Sequence, residues 1–476
     1  MSMENTFAGH ETIGESFLSG KCVFFVGIGG VGMQALAFLL QARGFVVCGS
    51  DREAGEGVAR LRAAGIPVAV GHRKENLPPD TGALIYTLAL PEDNPEWLAA
   101  RAAGIPCFSR ADLLGYLMGL YPLRIGVAGM HGKSTVTAMA SAILRHAGLA
   151  PTVASGAGLS ATGETYCLGG EEIFLCEACE YRDSFLCLSP RVAVVLNCEM
   201  EHTDYFQSEA HLLRSFSDYI RRAETIILPD AGLPRLTVPE EADIIRFGTL
   251  AGSDARADAV TEQGGCYAFD YRYRGVRRGR VRLAVPGRHN LQNALAALAV
   301  GEVCGVPFSA AAAALAAFSG VPRRLSRIGT FCGAAVYEDY AHHPTEIAAS
   351  LAALREVLNK ETGRVSGKGS VAPPFGRLFC VFQPHTYTRT AAFFSRFAEA
   401  LSVADDVTLM DIYAAREHDP GNVSSRALAE AIPGAHYAKT PADVTAHLAD
   451  ACRAGDLIVL MGAGDIHTSL GSLGRT

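Results

Sequence analysis

Apolar residues along this chain come in two alternating textures. Short runs such as KCVFFVGIG, FVVCGSD and ALIYTLAL have the length and composition of buried strands. Between the first two lies VGMQALAFLLQARG, a longer stretch that reads as a helix closed by glycine, and IPCFS continues the strand series. Strands alternating with helices in this way predict βαβ units, and so parallel sheets with helices on their faces. The rhythm restarts at YPLRIGVAG, after Pro122, which places a first domain boundary there. In the next segment RVAVVLN and AETIILPD are the clearest strands. SDARADAV through VRLAVPG predicts a β-rich meander with the alternating CYAFDYRYRG inside it, and LQNALAALAVGEVCG predicts an apolar helix. GVPRRLSRIG marks a second boundary. A third αβ unit then follows, with strands AAVYEDY, RLFCVFQ, DVTLMDIY and DLIVLMGAG. The expected domains are residues 1–122, 123–327 and 328–476. NKETGRVSGKGSVAPPFG, rich in Gly, Ser, Pro and charge, predicts a surface loop over 359–376.

Composition narrows the class. The 476 residues exceed one ordinary core, 49% are hydrophobic, and the net charge of −7 gives no sign of a nucleic-acid surface. The polar, acid-bearing start has no signal-peptide pattern, and no run reaches the ~18 apolar residues of a membrane span. The 13 cysteines are scattered, which fits reduced thiols and a cytoplasmic location better than a disulfide framework.

Two turns carry the first chemistry. Gly27, Gly29 and Gly32, with Gly30 among them, satisfy G-x-G-x-x-G between a strand and a helix, and Asp51 closes the next strand. Glycines there let the backbone approach a diphosphate, and the acid can take ribose hydroxyls. NAD, FAD and UDP-sugars all meet that description. The second turn, GMHGKST, contributes Gly129, His131, Gly132, Lys133, Ser134 and Thr135. It departs from the strict P-loop spacing, because Val127 stands five before Gly132. Even so, its backbone N–H groups can cradle phosphates, Lys133 can reach the β- and γ-phosphates, and Ser134 can hold Mg²⁺. Acids gather at two neighbouring strand ends: Glu177 and Glu180 in EACE, then Glu199, Glu201, His202 and Asp204 in NCEMEHTD. Carboxylate oxygen suits Mg²⁺, and imidazole is a less usual ligand for so hard an ion. Cys176 and Cys179 form C-x-x-C at the end of an apolar strand and read as small buried thiols. The fold class is α/β in three domains: an N-terminal Rossmann-like domain, a central P-loop ATPase-type domain with a mixed sheet, and a C-terminal Rossmann-like domain.

GMHGKST, EACE, NCEMEHTDYF, PGRHNLQNA, EDYAHHPTEI and FQPHTYTRT occur in that order. With them the chain resembles the Mur ligase family over roughly residues 20 to 467. EDYAHHPTEI and FQPHTYTRT are similar to the branch that adds L-alanine to UDP-N-acetylmuramate. The resemblance implies that the two turns hold different nucleotides. Gly27, Gly29, Gly30, Gly32 and Asp51 would bind the UDP of UDP-N-acetylmuramate, with His72 lining the same site. The central domain would bind ATP and Mg²⁺, with Ser134, Glu177 and His202 at the metal and His289 and Asn293 on the adenine side. Arg324 and Asp339 would approach ATP from the C-terminal domain. His342 and Arg389 match positions that hold the incoming alanine, and His385 would orient or touch it. Lys133, His202, His342 and Arg389 are the implied catalytic group. The implied reaction phosphorylates the lactyl carboxylate and joins L-alanine to the acyl phosphate, giving ADP and phosphate. Small-molecule substrates are the expected partners, without nucleic acid or membrane, and the chain is expected to be a monomer or weak homodimer.

Three rival readings remain at this point: the peptide-recycling ligase of the same family, a NAD-linked oxidoreductase using the first turn, and a non-catalytic UDP-sugar or ATP sensor, against which the intact Lys133, Glu177, His202 and Arg389 argue. Three departures stand out. Thr386 follows the His of FQPH, where some members have Arg. Cys179 replaces an acid, with EACEYRDSF standing where many members read EADESDASF. The 359–376 loop is longer than usual.

Overall fold

A computed structural model describes residues 22–88, 90–159, 163–202, 205–231, 236–361, 376–470 and 473. Asp204 and most of the long loop, 362–375, lie outside them. The chain divides into two compact units. One comprises residues up to 255 with 296–311, and the other 256–295 with residues from 312 onward.

The first unit contains two runs of strands. β1 (Cys22–Val26), β2 (Val47–Asp51), β3 (Val68–Val70), β4 (Thr81–Tyr86) and β5 (Cys107–Ser109) form a sheet in the order β3-β2-β1-β4-β5, parallel throughout. All five residues of β1 are buried, as expected for a strand covered on both faces. Strand order reverses beside β1, so the turn that follows it opens into the crevice where open α/β sheets bind ligands.

The second run contains β6 (Leu123–Ala128), β7 (Thr152–Ala154), β8 (Tyr166–Cys167), β9 (Ile173–Glu177), β10 (Val192–Val195), β11 (Thr225–Pro229) and β12 (Asp243–Gly248). Their order is β12-β11-β10-β6-β9-β7-β8, parallel except for β7 against β8. β6 lies between β10 and β9, which brings the loops after all three to one edge. Phe25 and Leu36 of the first run share a continuous core with Phe174 and Phe216 of the second. The boundary expected near 122 therefore falls between two sheets joined by one core.

In the second unit, β13 (Ala255–Gln263), β14 (Cys266–Tyr273) and β15 (Val276–Pro286) form the meander, with β14 and β15 antiparallel. These three strands continue the order of the second run past β12, and a separate six-stranded sheet contains β16 (Ser326–Phe331), β17 (Ala334–Asp339), β18 (Leu378–Phe382), β19 (Asp406–Leu409), β20 (His436–Tyr437) and β21 (Leu457–Met461). The order is β16-β17-β21-β18-β19-β20. β16 runs antiparallel to β17 and the remaining pairs are parallel. β16 straddles the boundary expected at 327 and pairs with the strand after it.

One cysteine pair departs from the all-thiol expectation. Cys22 and Cys48, on adjacent strands with Cα atoms 6.8 Å apart, are joined as a disulfide. Among the described residues no helix is long and apolar enough to cross a membrane.

Candidate active site

The first turn is organised by Asp51. The N–H groups of Gly27 and Ile28 donate to the Ser50 carbonyl at 2.8 and 3.0 Å, and the Gly29 N–H donates to Asp51 Oδ2 at 2.8 Å. A Cβ on Gly29 would lie 2.8 Å from that same oxygen, so the turn closes on the carboxylate because the residue is glycine. Gly30 precedes the helix Val31–Ala42 with no side-chain cap, and so its first N–H groups remain for an anion. Arg110 lies beside Gly32, with its guanidinium 3.4 Å from where a Cβ would stand. That places a cation at the turn, which the sequence reading missed.

His72 is held by a buried network. Its Nδ1 lies 2.9 Å from Glu96 Oε2 and 3.1 Å from Ser50 Oγ. Glu96, fully buried, also accepts from Ser50 Oγ at 2.7 Å and from Asn76 Nδ2 at 2.6 Å. A carboxylate accepts and cannot donate, so it fixes the proton on Nδ1 and turns Nε2 away from Glu96.

The second turn follows β6 and leads into the helix Lys133–His146. Gly132 caps that helix in the left-handed region, φ +86°, which a side chain would strain. Asn197, after β10, brackets the loop: its Oδ1 accepts from the His131 N–H and its Nδ2 donates to the His131 carbonyl, both at 3.0 Å. Lys133 Nζ donates to the Gly129 and Met130 carbonyls and to Glu180 Oε2, the last at 2.8 Å. Glu180 Oε1 lies 3.4 Å from His202 Nε2, and the His202 ring packs against Tyr181. Ser134 and Thr135 follow in the first helical turn, with Ser134 buried.

One buried carboxylate thus joins Lys133 and His202. Burial alone would push the Glu180 carboxyl up, but Lys133 and His202 outweigh it and hold the group below its ordinary value. Burial likewise disfavours the Lys133 ammonium, and Glu180 reverses that and raises it. Both groups are therefore charged at neutral pH. Glu177 is engaged elsewhere: its Oε1 accepts from Ser155 Oγ and from the Gly156 N–H, the latter at 2.7 Å. Of the two acids in EACE, Glu180 is the one at the lysine. Burial pushes the thiols of Cys176 and Cys179 up, the opposite of a reactive thiolate.

The second unit gathers the C-terminal residues. Asp339 ends β17, is buried, and accepts from Ser350 Oγ. Arg324 Nη1 lies 3.6 Å from Glu346, and Glu346 Oε2 accepts from the His342 N–H at 3.2 Å. The His342 Nδ1 faces the Tyr340 carbonyl at 2.9 Å; a carbonyl accepts, so that nitrogen carries the proton and Nε2 is the basic one. The rings of His342 and His385 are 6.0 Å apart, and His385 stacks on Tyr413. Arg389 Nη1 donates to His385 Nδ1 at 3.0 Å. Thr386, one of the departures, caps the helix Tyr387–Ala392 that carries Arg389, its Oγ1 accepting from the Arg389 N–H. His289 is pushed down to about 4 by burial, with Arg324 nearby, so it is neutral. Asn293 donates to Asn290 Oδ1 at 3.0 Å.

Burial is also the main cause that pushes the Asp339 carboxyl up to about 6, against the opposing pull of Ser350 and Arg324. Its native pKa lies above its unfolded one, so its contribution to stability is complete below ~4 and is lost as pH rises through ~6. The wild type should lose on the order of 2 kcal/mol through this group between about pH 4.5 and 8. Asp339→Asn removes that dependence, so thermal denaturation of both proteins across this range should show the variant gaining relative to wild type as pH rises.

Comparison with known proteins fits this arrangement. Residues 23–122 match the model described as Mur ligase family, catalytic domain; 127–301 match Mur ligase middle domain; 323–464 match Mur ligase, glutamate ligase domain. The chain is a Mur ligase. Its three-domain α/β architecture is that of the family. This Mur ligase is 36% identical over 469 residues to UDP-N-acetylmuramate–L-alanine ligase of Lachnoclostridium phytofermentans, covering 93% of this chain and 96% of that one. It is 38% identical over 464 residues to the protein of the same name from Agathobacter rectalis, covering 93% and 95%. Its structure is similar to the crystal structure of UDP-N-acetylmuramate–alanine ligase MurC from Thermotoga maritima, with TM-score 0.79 and 26% identity over 96% of this chain and 98% of that one.

Proposed function

We propose that this Mur ligase joins L-alanine to the lactyl carboxylate of UDP-N-acetylmuramate, converting ATP to ADP and phosphate. The substrates follow from full-length relatives named for that reaction, and neither the recycling ligase nor the oxidoreductase reading is favoured. The observation that carries the ATP half is the Lys133–Glu180–His202 cluster at the ends of adjacent strands.

A carboxylate is a poor electrophile, and phosphorylation gives it a leaving group. One lactyl oxygen attacks the γ-phosphorus, the bond to the β–γ bridging oxygen breaks, and ADP leaves. The alanine nitrogen then attacks the acyl carbon, the carbon–oxygen bond to phosphate breaks, and the amine loses a proton.

The chain's part is placement and charge. The turn Gly129–Lys133 presents backbone N–H groups, and the Lys133 ammonium offsets the transferring phosphoryl. Ser134, Glu180 and Glu177 would supply hydroxyl and carboxylate oxygens of the kind Mg²⁺ takes, with His202 beside Glu180. Mg²⁺ held there would supply further neutralisation of phosphate charge. We assign Glu180 to this shell because it sits between Lys133 and His202, whereas Glu177 is tied to Ser155 and Gly156.

His342 suits the amine: its Nδ1 proton is held by Tyr340, so Nε2 can accept a proton. Arg389 suits the alanine carboxylate, since its planar fork binds two oxygens at once. Residues 1–122 serve the UDP substrate through Gly27, Gly29, Gly30, Gly32, Asp51 and His72. Residues 123–327 serve ATP, including His289 and Asn293. Residues 328–476 serve alanine, and we assign Arg324, four residues before that segment, and Asp339 within it to ATP. We place the reaction in the cytoplasm, where ATP and UDP-sugars are available.

Oxygen labelling tests the sequence of steps. With ¹⁸O in both lactyl carboxylate oxygens, one label should appear in the released phosphate and one should remain in the new amide. Unlabelled phosphate would overturn the acyl-phosphate route.

A further inference from the structure

Away from the residues described so far, three side chains of the second unit converge. Asp406 begins β19, His436 opens β20 beside it, and His447 lies on the helix Pro441–Ala451 that follows. His447 Nε2 lies 3.0 Å from Asp406 Oδ1 and 3.2 Å from Oδ2, while His436 Nε2 lies 3.9 Å from Oδ2. The two imidazole rings are 4.3 Å apart, and one donor atom from each of the three residues falls within 4.8 Å of the others. We propose that Asp406, His436 and His447 form a binding site for a borderline divalent transition-metal ion of the Zn²⁺ class, separate from the Mg²⁺ of the reaction.

A surface ion pair accounts for His447 against Asp406, but not for the second imidazole. With Asp406 paired to His447, the His436 ring still stands 4.3 Å from the His447 ring, where a second positive charge would be repelled. A divalent cation accepts all three lone pairs and neutralises the acid. Two imidazoles with one carboxylate favour Zn²⁺, Co²⁺ or Ni²⁺ over Mg²⁺ or Ca²⁺, which prefer an all-oxygen shell. Zn–N and Zn–O bonds of about 2.0–2.2 Å in a tetrahedral shell require donors roughly 3.3 Å apart. The Asp406–His447 contact is already there, and His436, whose side chain is 50% exposed, has room to close the remainder.

The neighbouring carboxylate is committed elsewhere, since Asp405 pairs with Arg355 and accepts from the Leu378 N–H. The cluster starts at the N-terminal end of β19, whereas Asp339 ends β17 and His385 follows β18. With β17, β18 and β19 aligned through parallel pairings, the ion would sit away from the reacting groups. Its effect would be to clip the two-residue edge strand β20 and its following helix to the sheet.

The test is equilibrium dialysis of the full chain against micromolar Zn²⁺ with excess Mg²⁺ present, followed by elemental analysis. Wild type, His436→Ala and His436→Ala/His447→Ala are compared, with unchanged ATP-dependent phosphate release confirming that each variant is folded. The expected result is one more Zn²⁺ per chain in wild type than in the double variant, and affinity lowered ~10-fold or more in the single one. Replacing Zn²⁺ by Co²⁺ should give visible absorption bands in wild type that the double variant lacks. Equal metal content in wild type and double variant, or no Zn²⁺ in wild type, would overturn the proposal. His436→Ala, a change at a half-exposed position, keeps the test decisive if the double variant does not fold.

Discussion

Lys133→Ala is expected to lower turnover by at least ~10³-fold while UDP-N-acetylmuramate still binds within about threefold of the wild-type affinity. The lysine is the cation of the second turn, held by two loop carbonyls and Glu180. No other side chain in GMHGKST can place a fixed positive charge beside a transferring phosphoryl. The first turn is built separately, from β1, β2 and the Asp51 carboxylate, in a different sheet. Phosphate release measures the first quantity, and calorimetric titration of the UDP substrate the second. Loss of both together would mean that the two turns do not act as separate sites. The substitution also removes the main counter-charge of buried Glu180 and leaves only His202 beside it, so its carboxyl should move up and thermal stability should fall.

Glu180→Gln should be the second most damaging change. It leaves the Lys133 ammonium buried without its counter-charge and removes the partner of His202. Breaking one side of a buried pair costs about 3–5 kcal/mol, and turnover should fall at least ~10²-fold. The Mg²⁺ concentration giving half-maximal rate should rise with it. Glu177→Gln is the informative contrast. It removes a hydrogen-bond acceptor from Ser155 and Gly156, a loss of about 1–3 kcal/mol, with a smaller shift in Mg²⁺ dependence. Denaturation and Mg²⁺ titration of both variants check this. A large Mg²⁺ shift in Glu177→Gln with none in Glu180→Gln would return the metal to Glu177.

That contrast shows where the sequence stops being readable. Both acids of EACE stand at the end of an apolar strand, and the spacing favours neither. What separates them is the short helical turn Tyr181–Cys187, with Arg182 and Asp183 in left-handed backbone, which follows Glu180. The resemblance to the family points to Glu177 for the metal, whereas Glu180 is the acid that contacts Lys133.

Asn197 and Glu96 were missed for a different reason. A neutral amide carries no chemical signature, and an acid in the first turn of a helix reads as solvated until burial shows otherwise. The strands announced by continuous apolar runs, such as CVFFV, VAVV and LIVLM, were all legible because full burial leaves that imprint. β16 was not, because its residues are partly or wholly exposed and its sequence lacks the run. β3, β7 and β8 have two or three residues each, too few for a period to register. The glycine turns were legible because their chemistry is local: a strand end, a left-handed glycine and a helix start lie within a few residues. The Asp406–His436–His447 cluster was invisible because its members are far apart in sequence and meet only through the pairing of β19 with β20.

The most direct measurement is phosphate release from ATP with UDP-N-acetylmuramate present, adding L-alanine, glycine, L-serine or a muropeptide tripeptide in separate reactions. Release that depends on L-alanine, together with a product heavier by one alanine residue, is the predicted result. Release with the tripeptide and none with L-alanine would contradict it and move the chain to the recycling branch of the family.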